Sequence, residues 1–442
     1  MPFKTDVRYR RETLVKLLYN INQRESEIIQ ALYDDFKKPA FESVLTETGL
    51  VISELENTIK NISSWTKRKR VFPSLLNFPS QDFIYSEPYG KVLVMAPWNY
   101  PFQLAITPLI SAVAAGNEVV VKPSELTPQT AAIITKLIAE TFLTQHVRVV
   151  EGDAKVAQEL LLQRWDYIFF TGSVAVGKLV AKAAAEHLTP VTLELGGKNP
   201  CIVDQTATLR LAAKRIVWGK FLNAGQTCIA PDYILIQNKV KAAFIGYLKE
   251  EIALAYGDDP EISPDYPRII NPKNWQRLTG LIEGNHIVHG GLTNPNDNYI
   301  APTIINEPGL ESALMQEEIF GPILPILSYE NESELGTIIS RYEKPLSLYV
   351  FSSDSGFTKR IIGKFSFGGG CINDTVIYFS NKRLPFGGVG HSGIGAYHGK
   401  LGFDTFSHKK AIVKKGNWLD IQLRYAPYKS KLKIIRKLLK WL

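Results

Sequence analysis

The sequence predicts an α/β protein whose first half forms a doubly wound parallel sheet. Two observations support this prediction. Short, strongly apolar runs are typical of strands buried on both faces, and longer helical segments separate them. The two kinds of segment alternate from Lys91 to Asp204. A sheet built in this way binds nucleotides at the carboxyl ends of its strands, so the pattern indicates a Rossmann-type dinucleotide-binding architecture.

The predicted elements follow one another in a regular order. The strands are Lys91–Met95, Glu118–Val121, Val147–Val150, Tyr167–Phe170 and Val191–Leu195. The helices are Gln103–Ala115, Pro128–Phe142, Ala154–Leu162 and Val174–Leu188. Before them, residues 9–65 are predicted to be largely helical, with a polar break after Asn61.

A second α/β block is predicted from Leu209 to about Gly395, and we expect it to be the catalytic domain. It begins with a helix that leads to Cys228. Its strand candidates are Tyr233–Ile236, Pro322–Leu327 and Leu346–Phe351.

Composition limits the class of protein. Three scattered cysteines in 442 residues suit a reducing compartment and offer neither a disulfide framework nor a metal-ligand cluster. The stretch Met1–Ile21 mixes charges throughout, and no apolar run approaches the length of a membrane span. We therefore expect a cytoplasmic protein without a signal peptide or a metal.

The net charge of +8 comes from one end of the chain. Residues 408–442 hold eleven Lys or Arg against Asp420 alone, which leaves the first 407 residues at −2. A nearly neutral body argues against a protein that binds nucleic acid through its main domains. Binding through the tail is the remaining, weaker alternative.

Cys228 and Glu194 supply a thiol and a carboxylate, the two groups needed to form and then hydrolyse an acyl-enzyme. Small and polar residues surround Cys228, so we expect its sulfur to be accessible to a substrate. Cys201 and Cys371 are expected to be small buried hydrophobic residues.

Four motifs resemble those of the NAD(P)-dependent aldehyde dehydrogenase superfamily and occur in that family's order. They are Pro97-Trp98-Asn99-Tyr100-Pro101, Glu194-Leu195-Gly196-Gly197-Lys198, Gly225-Gln226-Thr227-Cys228 and Glu317-Glu318-Ile319-Phe320-Gly321-Pro322. The short N-terminus and the segments 397–400 and 403–408 further resemble the class 3 branch, whose substrates are fatty and aromatic aldehydes.

The resemblance implies a domain organisation. Residues 1–81 and 91–195 would form the dinucleotide-binding domain and residues 196–398 the catalytic domain. Residues 82–90 and 399–415 would form a bridging arm, in which Asp82–Glu87 pairs with the stretch around Phe403–Lys414, and 416–442 a basic tail. Class 3 relatives are homodimers, so a homodimer is expected.

The resemblance also implies catalytic roles. Cys228 would attack the aldehyde carbonyl, while its own backbone N–H and the Asn99 amide stabilise the oxyanion. Glu194 is the first choice for the base that activates the hydrolytic water, because partial burial would raise its pKa into a useful range. Glu318 is the second choice for that base and the first choice for a cofactor ligand.

The expected cofactor is NAD, with NADP possible. Thr171, Gly172 and Ser173 connect a strand to a helix whose N-terminus favours a pyrophosphate, and Gly177 permits close helix packing. The resemblance adds Lys122 and Glu125 on the adenosine ribose, and Glu318 and Phe320 at the nicotinamide end. Glu125 would disfavour a 2′-phosphate by repulsion, but it could equally be a solvated member of a surface charge pair.

The resemblance places four aromatic residues in a substrate tunnel: Tyr100, Trp218, Tyr378 and Phe379. Aromatic walls without a converging Arg or Lys suit an apolar aldehyde. For Trp218, a place in the core is an equal alternative.

The tail from Ser430 to Leu442 has the pattern of a basic amphipathic helix with Ser430 as its N-cap. Its apolar half comprises Leu432, Ile434, Ile435, Leu438, Leu439, Trp441 and Leu442. Residues 431–442 could contact a membrane surface or dock on the protein, for example at the partner subunit's tunnel mouth.

Two other functions compete with the oxidation of hydrophobic aldehydes to acids. A CoA-acylating aldehyde dehydrogenase would transfer the acyl group to CoA, but such an enzyme needs no water-activating carboxylate like Glu194. A catalytically idle membrane scaffold is the alternative from another class, and the joint presence of Cys228, Asn99 and Glu194 argues against it.

Overall fold

The computed structural model describes residues 6–441 and shows an α/β fold with two large sheets and a small antiparallel arm. Its helices are α1 (Val7–Gln23), α2 (Glu25–Phe36), α3 (Ala40–Ser43), α4 (Gly49–Trp65), α5 (Pro101–Ala115), α6 (Pro128–Thr141), α7 (Ala154–Leu161), α8 (Val174–Ala185), α9 (Leu209–Phe221), α10 (Asn238–Tyr256), α11 (Pro272–Ile282), α12 (Ala313–Gln316), α13 (Glu332–Ile339), α14 (Ser355–Lys364), α15 (Gly399–Thr405) and α16 (Lys431–Leu438).

The strands are β1 (Lys69–Val71), β2 (Ser80–Pro88), β3 (Lys91–Met95), β4 (Glu118–Lys122), β5 (Val147–Val149), β6 (Tyr167–Thr171), β7 (Val191–Glu194), β8 (Pro200–Val203), β9 (Tyr233–Gln237), β10 (Ile287–His289), β11 (Thr293–Asn294), β12 (Tyr299–Ile300), β13 (Thr303–Asn306), β14 (Ile323–Tyr329), β15 (Ser347–Phe351), β16 (Gly369–Ile372), β17 (Gly393–Ile394) and β18 (Ser407–Lys415).

The first sheet has six strands in the order β17-β7-β6-β3-β4-β5, and all but β17 are parallel. The chain moves from β3 outward to β4 and β5, then returns to β6 on the other side of β3. This reversal of direction is the topological switch point at which such sheets bind ligands. The predicted doubly wound sheet is therefore confirmed, with each predicted strand and helix boundary within three residues of its observed position.

The second sheet has seven strands in the order β10-β13-β14-β9-β8-β15-β16, parallel except for β10. It contains the three strands predicted for this block. The short strand β17 lies within the stretch predicted as catalytic, yet it pairs with β7 of the first sheet. The chain thus returns to the first sheet beside Glu194.

The arm is a three-stranded antiparallel sheet in the order β1-β2-β18. Asp82–Glu87 lies inside β2 as predicted. Phe403–Lys414 is only partly extended, because Phe403 and its two successors belong to α15, where Phe403 is buried in the core. The arm also starts earlier than predicted, since β2 begins at Ser80 and β1 precedes it.

The predicted helical break after Asn61 is wrong. Helix α4 continues through it to Trp65, because Val51, Leu55, Thr58 and Ile62 form one buried stripe that holds the helix against the core. The breaks lie earlier, at Arg24 and at Lys37–Pro39, and a π-helical turn at Val44–Thr48 joins α3 to α4.

The tail helix is shorter than predicted: α16 ends at Leu438 and a 3₁₀ turn covers Leu439–Trp441. Ser430 does not act as the predicted N-cap, since its backbone is already helical (φ −79°, ψ 0°) and its side chain makes no capping hydrogen bond. Leu442 and the side chain of Trp441 lie outside the described residues.

Candidate active site

A cavity of about 500 Å³ lies at the carboxyl ends of the first sheet's strands and reaches the second block. Residues at or just after the ends of β3, β6 and β7 meet there with the loop that carries Cys228. Of the predicted site residues, the cavity is lined by Asn99, Tyr100, Thr171, Gly172, Ser173, Glu194, Trp218, Cys228, Glu318, Phe320 and Phe379. Lys122, Glu125, Gly177 and Tyr378 do not line it.

Cys228 is partly exposed in the cavity wall, whereas Cys201 is fully buried in the core as predicted. The Asn199 amide donates to the Cys228 carbonyl at 2.8 Å and thereby fixes the backbone beside the sulfur. Burial raises the pKa of the Cys228 thiol, and the nearby Glu318 and Glu194 carboxylates raise it further. The resting thiol is therefore protonated. Cys371 differs from its prediction, because it is half-buried on the edge strand β16.

The chain before Cys228 has an uncommon conformation. Asn223, Ala224 and Gly225 all have left-handed backbones, with φ of 56°, 51° and 74°. At Gly225 a side chain is also excluded by space, since a Cβ atom would collide with the carbonyl group of Gly321. This sharp turn directs the chain from the end of α9 toward the cavity.

The Asn99 amide lies in the same wall and is nearly fully buried. Its nitrogen donates to the Gln226 carbonyl at 3.0 Å, and its backbone carbonyl accepts a hydrogen bond from the Asn223 amide at 2.9 Å. A primary amide carries two N–H donors. One of them anchors Asn99 to the Cys228 loop, and the second is available to an oxyanion.

Glu194 terminates β7, and its backbone is fixed by pairing with β6 on one side and with β17 on the other. Its side chain is 2% exposed, and neither carboxyl oxygen has a hydrogen-bond partner among the described residues. Burial raises the pKa of Glu194 well above its ordinary value. An ionised carboxylate in this environment is a stronger base than one in water.

Glu318 enters the cavity from the loop after α12 and packs against Gly196, where a Cβ atom would collide with its carboxylate. Burial, with a contribution from Asp232, raises the pKa of Glu318 to about 8. The N–H of Gly197 faces this carboxylate and opposes the rise in pKa. Unlike Glu194, Glu318 therefore has a donor facing its carboxylate.

A buried lysine connects the Glu194 and Glu318 loops, which the sequence interpretation did not foresee. Lys198 donates from Nζ to Asp232 at 2.6 Å and to the carbonyls of Leu314 and Glu317 at 2.9 and 2.8 Å. Asp232 in turn accepts the N–H of Ile319 at 2.9 Å. The lysine stands at the end of the Glu194–Lys198 motif, but only the fold shows which loop it reaches.

The predicted cofactor residues fall into two groups. Thr171, Gly172 and Ser173 lead from β6 into α8, where the Ser173 hydroxyl caps the helix by accepting the Val176 N–H. The Thr171 hydroxyl is buried without a partner among the described residues. Gly177 lies behind them, and a Cβ atom there would be 2.7 Å from Leu195, which agrees with its predicted packing role.

Lys122 and Glu125 form the second group, at the end of β4. They bind each other, with Lys122 Nζ 3.0 Å from Glu125 Oε2, and Lys122 is buried while Glu125 is largely exposed. Both stand at the same sheet edge as Thr171 but outside the cavity.

Three of the four predicted tunnel residues, Tyr100, Trp218 and Phe379, line the cavity. Tyr378 is not among the lining residues: its ring stacks on Phe386 at 5.9 Å and its hydroxyl bonds to Ser347 at 2.7 Å. The tunnel has further apolar residues that the sequence interpretation missed, because each is unremarkable in its local sequence. They are Leu45, Leu50, Leu104, Leu222 and Ile377.

The chain matches the aldehyde dehydrogenase family over residues 3–412. It is 48% identical over 437 residues to 4,4'-diaponeurosporen-aldehyde dehydrogenase of Staphylococcus aureus, covering 98% of this chain and 95% of that protein. It is 44% identical over 424 residues to aldehyde dehydrogenase family 3 member A2 of Macaca fascicularis, covering 95% and 87%.

Solved structures agree. The fold superposes on the substrate-bound state of Staphylococcus aureus AldH with a TM-score of 0.97 at 48% identity, covering 99% of this chain and 96% of that one. It superposes on an NAD⁺ complex of an aldehyde dehydrogenase from Mycobacterium tuberculosis with a TM-score of 0.84 at 26% identity, covering 94% and 87%. The chain belongs to the aldehyde dehydrogenase family and is an NAD(P)-dependent aldehyde dehydrogenase. Its relatives place it in the class 3 branch.

Proposed function

We propose that this enzyme oxidises hydrophobic aldehydes to carboxylic acids, with Cys228 as nucleophile, Asn99 as oxyanion donor and Glu194 as base. The observation that carries the proposal is the convergence of these three side chains on one cavity whose other walls are mainly apolar. The names of its relatives fit, since one acts on the aldehyde 4,4'-diaponeurosporenal and another is a family 3 aldehyde dehydrogenase.

The first step is attack by the Cys228 thiolate on the carbonyl carbon. Since the resting thiol is protonated, its proton must pass to a base as the substrate binds. Glu318, the carboxylate that raises the thiol pKa most, would accept this proton, which leaves Glu194 to act on water. The carbonyl π electrons move to oxygen, where the free Asn99 N–H and the Cys228 N–H stabilise the charge. Such a donor contributes roughly 3–4 kcal/mol to lowering the barrier.

The cofactor residues fit a dinucleotide. The N-terminus of α8, the unpartnered Thr171 hydroxyl and the exposed Ser173 provide donors for phosphate oxygens, while Glu318 and Phe320 would hold the nicotinamide ribose and ring. A bound nicotinamide would supply the acceptor for the hydride of the hemiacetal carbon, after which Cys228 would carry a thioester. NAD and NADP both occur in this family, and the Lys122–Glu125 pair would contact the adenosine ribose.

Glu194 then acts on the thioester. The ionised carboxylate takes a proton from water, whose oxygen attacks the thioester carbon, and the thiolate leaves as the acid forms. Glu194 is favoured over Glu318 for this step, because its oxygens have no hydrogen-bond partner among the described residues, whereas the Glu318 carboxylate faces the Gly197 N–H. Hydrolysis by a dedicated carboxylate also disfavours the CoA-acylating alternative.

The tunnel supports a hydrophobic substrate. No Arg or Lys of the described chain lines the cavity, whereas Tyr100, Trp218 and Phe379 stand among leucines. An aldehyde carrying a carboxylate or phosphate would lose hydration there without gaining a partner.

A kinetic screen tests the function. Aldehydes from short aliphatic through long-chain to polyene are assayed with NAD and with NADP by the absorbance of the reduced cofactor. Long-chain or polyene substrates should give the highest kcat/KM. Preference for a charged semialdehyde, or product formation only when CoA is added, would contradict the proposal.

We further propose that the enzyme is a homodimer joined through the arm. β18 is an open edge of the arm sheet with Ile412 and Val413 exposed, and β16 is an open edge of the second sheet. Open edges carry unpaired backbone groups that another chain can bind. One relative is described as dimeric. Sedimentation should give a dimer for the parent chain and a monomer for Val413→Lys. A parent chain that sediments as a monomer would contradict the proposal.

The tail would bring the enzyme to a membrane surface. In α16 the apolar residues Leu432, Ile434 and Leu438 are 47–55% exposed, so about half of each residue is available to another surface. Phe78 and Trp418 form a further exposed apolar patch, in which the two rings lie edge-on with their centres 6.1 Å apart. No helix among residues 6–441 has the length and apolar character needed to cross a bilayer. An amphipathic helix with lysines on its other face suits an anionic lipid surface.

A further inference from the structure

A buried charged segment lies beneath the two loops that form the reaction centre. Lys38, Glu42 and Glu47 all come from residues 38–47, and their side chains are 0–7% exposed. Burying charges is unfavourable unless they are paired and hydrogen-bonded, so their contacts indicate what they do.

Glu47 holds the loop that carries Asn99. One of its oxygens accepts the N–H groups of Phe102 and Gln103 at 2.9 and 3.1 Å, at the N-terminus of α5. The other accepts from Lys38 Nζ at 2.7 Å, and this ammonium also lies 4.1 Å from the centre of the Tyr100 ring.

Glu42 holds the other loop. Its carboxylate accepts the Asn223 N–H at 2.9 Å, at the first of the three left-handed residues. Residues other than glycine keep this backbone conformation only when their surroundings hold them in it. The Asn223 side chain in turn donates to the carbonyls of Asn99 and Gln226. The hydrogen bond from Asn223 to Glu42 therefore lies at the base of the turn that carries Cys228.

We infer that Glu42 is a positioning residue for the nucleophile: its hydrogen bond to Asn223 maintains the left-handed turn and with it the place of the Cys228 sulfur and backbone N–H. Glu42 lies outside the cavity lining and contacts no reacting atom. This inference rests on the proposed role of Cys228.

The test measures the rate at which iodoacetamide alkylates Cys228 in the full chain, followed by peptide mass spectrometry. Glu42→Met keeps the volume but removes the acceptor, whereas Glu42→Gln keeps an acceptor oxygen. We expect Glu42→Met to slow alkylation and lower kcat by about tenfold or more, since small displacements of a reacting group have large effects. KM for aldehyde and cofactor should stay within about threefold, and Glu42→Gln should retain a near-parental alkylation rate.

Two controls separate positioning from general destabilisation. Glu54 is an equally buried carboxylate in α4, where burial raises its pKa to about 7 as for Glu42, but its neighbours are Thr58 and Lys382. Glu54→Met should leave Cys228 alkylation within about twofold. Alkylation of the half-buried Cys371 in the same samples should not change.

The inference would be overturned if Cys228 were alkylated at the parental rate in Glu42→Met. It would also be overturned if Glu54→Met slowed the alkylation of Cys228 as much as Glu42→Met does. If Glu42→Met does not fold, Glu42→Asp replaces it in the test, because its shorter side chain withdraws the acceptor by one methylene. A parental rate of Cys228 alkylation in Glu42→Asp would also overturn the inference. Because alkylation needs no turnover, these outcomes are distinguishable from failure of the proposed function, which would appear as undiminished activity of Cys228→Ser.

Discussion

The reaction cavity and the C-terminal tail of this enzyme are organised in opposite ways. Around the cavity, Asn99 makes two hydrogen bonds to distant parts of the chain, the Cys228 carbonyl accepts one from Asn199, and Glu194 has its backbone fixed on both sides. In the tail, α16 has no buried residue. The difference fits the proposal that catalysis requires fixed geometry, whereas the tail presents a surface for contact with a membrane or another subunit.

The largest effect should come from the nucleophile. Cys228→Ser replaces the thiol with a hydroxyl that the same environment leaves protonated, so kcat should fall by at least about 10³-fold for short and long aldehydes alike. Steady-state kinetics with both substrate classes measures this. Cys201→Ser, in the core, is the matched control for loss of a cysteine. Substantial activity in Cys228→Ser would contradict the account of the cavity.

The oxyanion donor should have the next largest effect. Asn99→Ala removes the free N–H and should lower kcat by about 10²–10³-fold with a smaller change in KM. Asn99 also anchors the Cys228 loop, so the alkylation rate of Cys228 should be measured in parallel. If the loss of kcat is matched by an equal loss of alkylation, then Asn99 acts by positioning the thiol and not through the oxyanion.

Glu194 should have opposite effects on activity and on stability. Its pKa is raised in the folded chain, so the folded state binds more protons than the unfolded state, and stability falls as the pH rises above the unfolded value of about 4.3. Glu194→Gln removes the buried charge and should raise the free energy of unfolding by roughly 1 kcal/mol at pH 8, with a smaller gain at pH 5. Denaturant titrations at both pH values measure it. Equal gains at both values would show that folding does not raise the pKa of Glu194 above about pH 5.

The smallest effect should come from the tail. Deleting residues 431–442 should lower binding to anionic vesicles and raise KM by a few fold for long-chain aldehydes, with short-chain kinetics unchanged. Neutral vesicles control for electrostatic attraction. Unchanged vesicle binding together with a changed KM would instead favour docking of the tail at the partner subunit's tunnel mouth.

The sequence was sufficient to predict what depends on local pattern. The alternation of apolar strands and helices defined the first sheet, and the motifs identified Cys228, Glu194 and Asn99, which the fold brings to one cavity. It was less informative where contacts are long-range. Nothing near Tyr378 shows that its ring stacks on Phe386 outside the tunnel, and Lys198 and Glu42 reveal their partners only when loops far apart in sequence meet.

Errors in local structure had similar causes. The polar residues after Asn61 suggested a break, but buried residues on the opposite face of α4 determine where that helix ends. The family resemblance placed the stretch around Phe403 in the arm, but Phe403 is buried in the core and lies in helix α15. In both places tertiary packing determined the backbone more strongly than the local composition.

The most direct test of the central claim is to trap the acyl-enzyme in Glu194→Gln. Mixing this variant with a long-chain aldehyde and NAD should give a burst of about one reduced cofactor per chain, followed by slow turnover. Intact and peptide mass spectrometry should then find one acyl group on Cys228. A linear time course at the parental rate, with no acyl group on Cys228, would contradict the claim that Glu194 activates water to hydrolyse a Cys228 thioester.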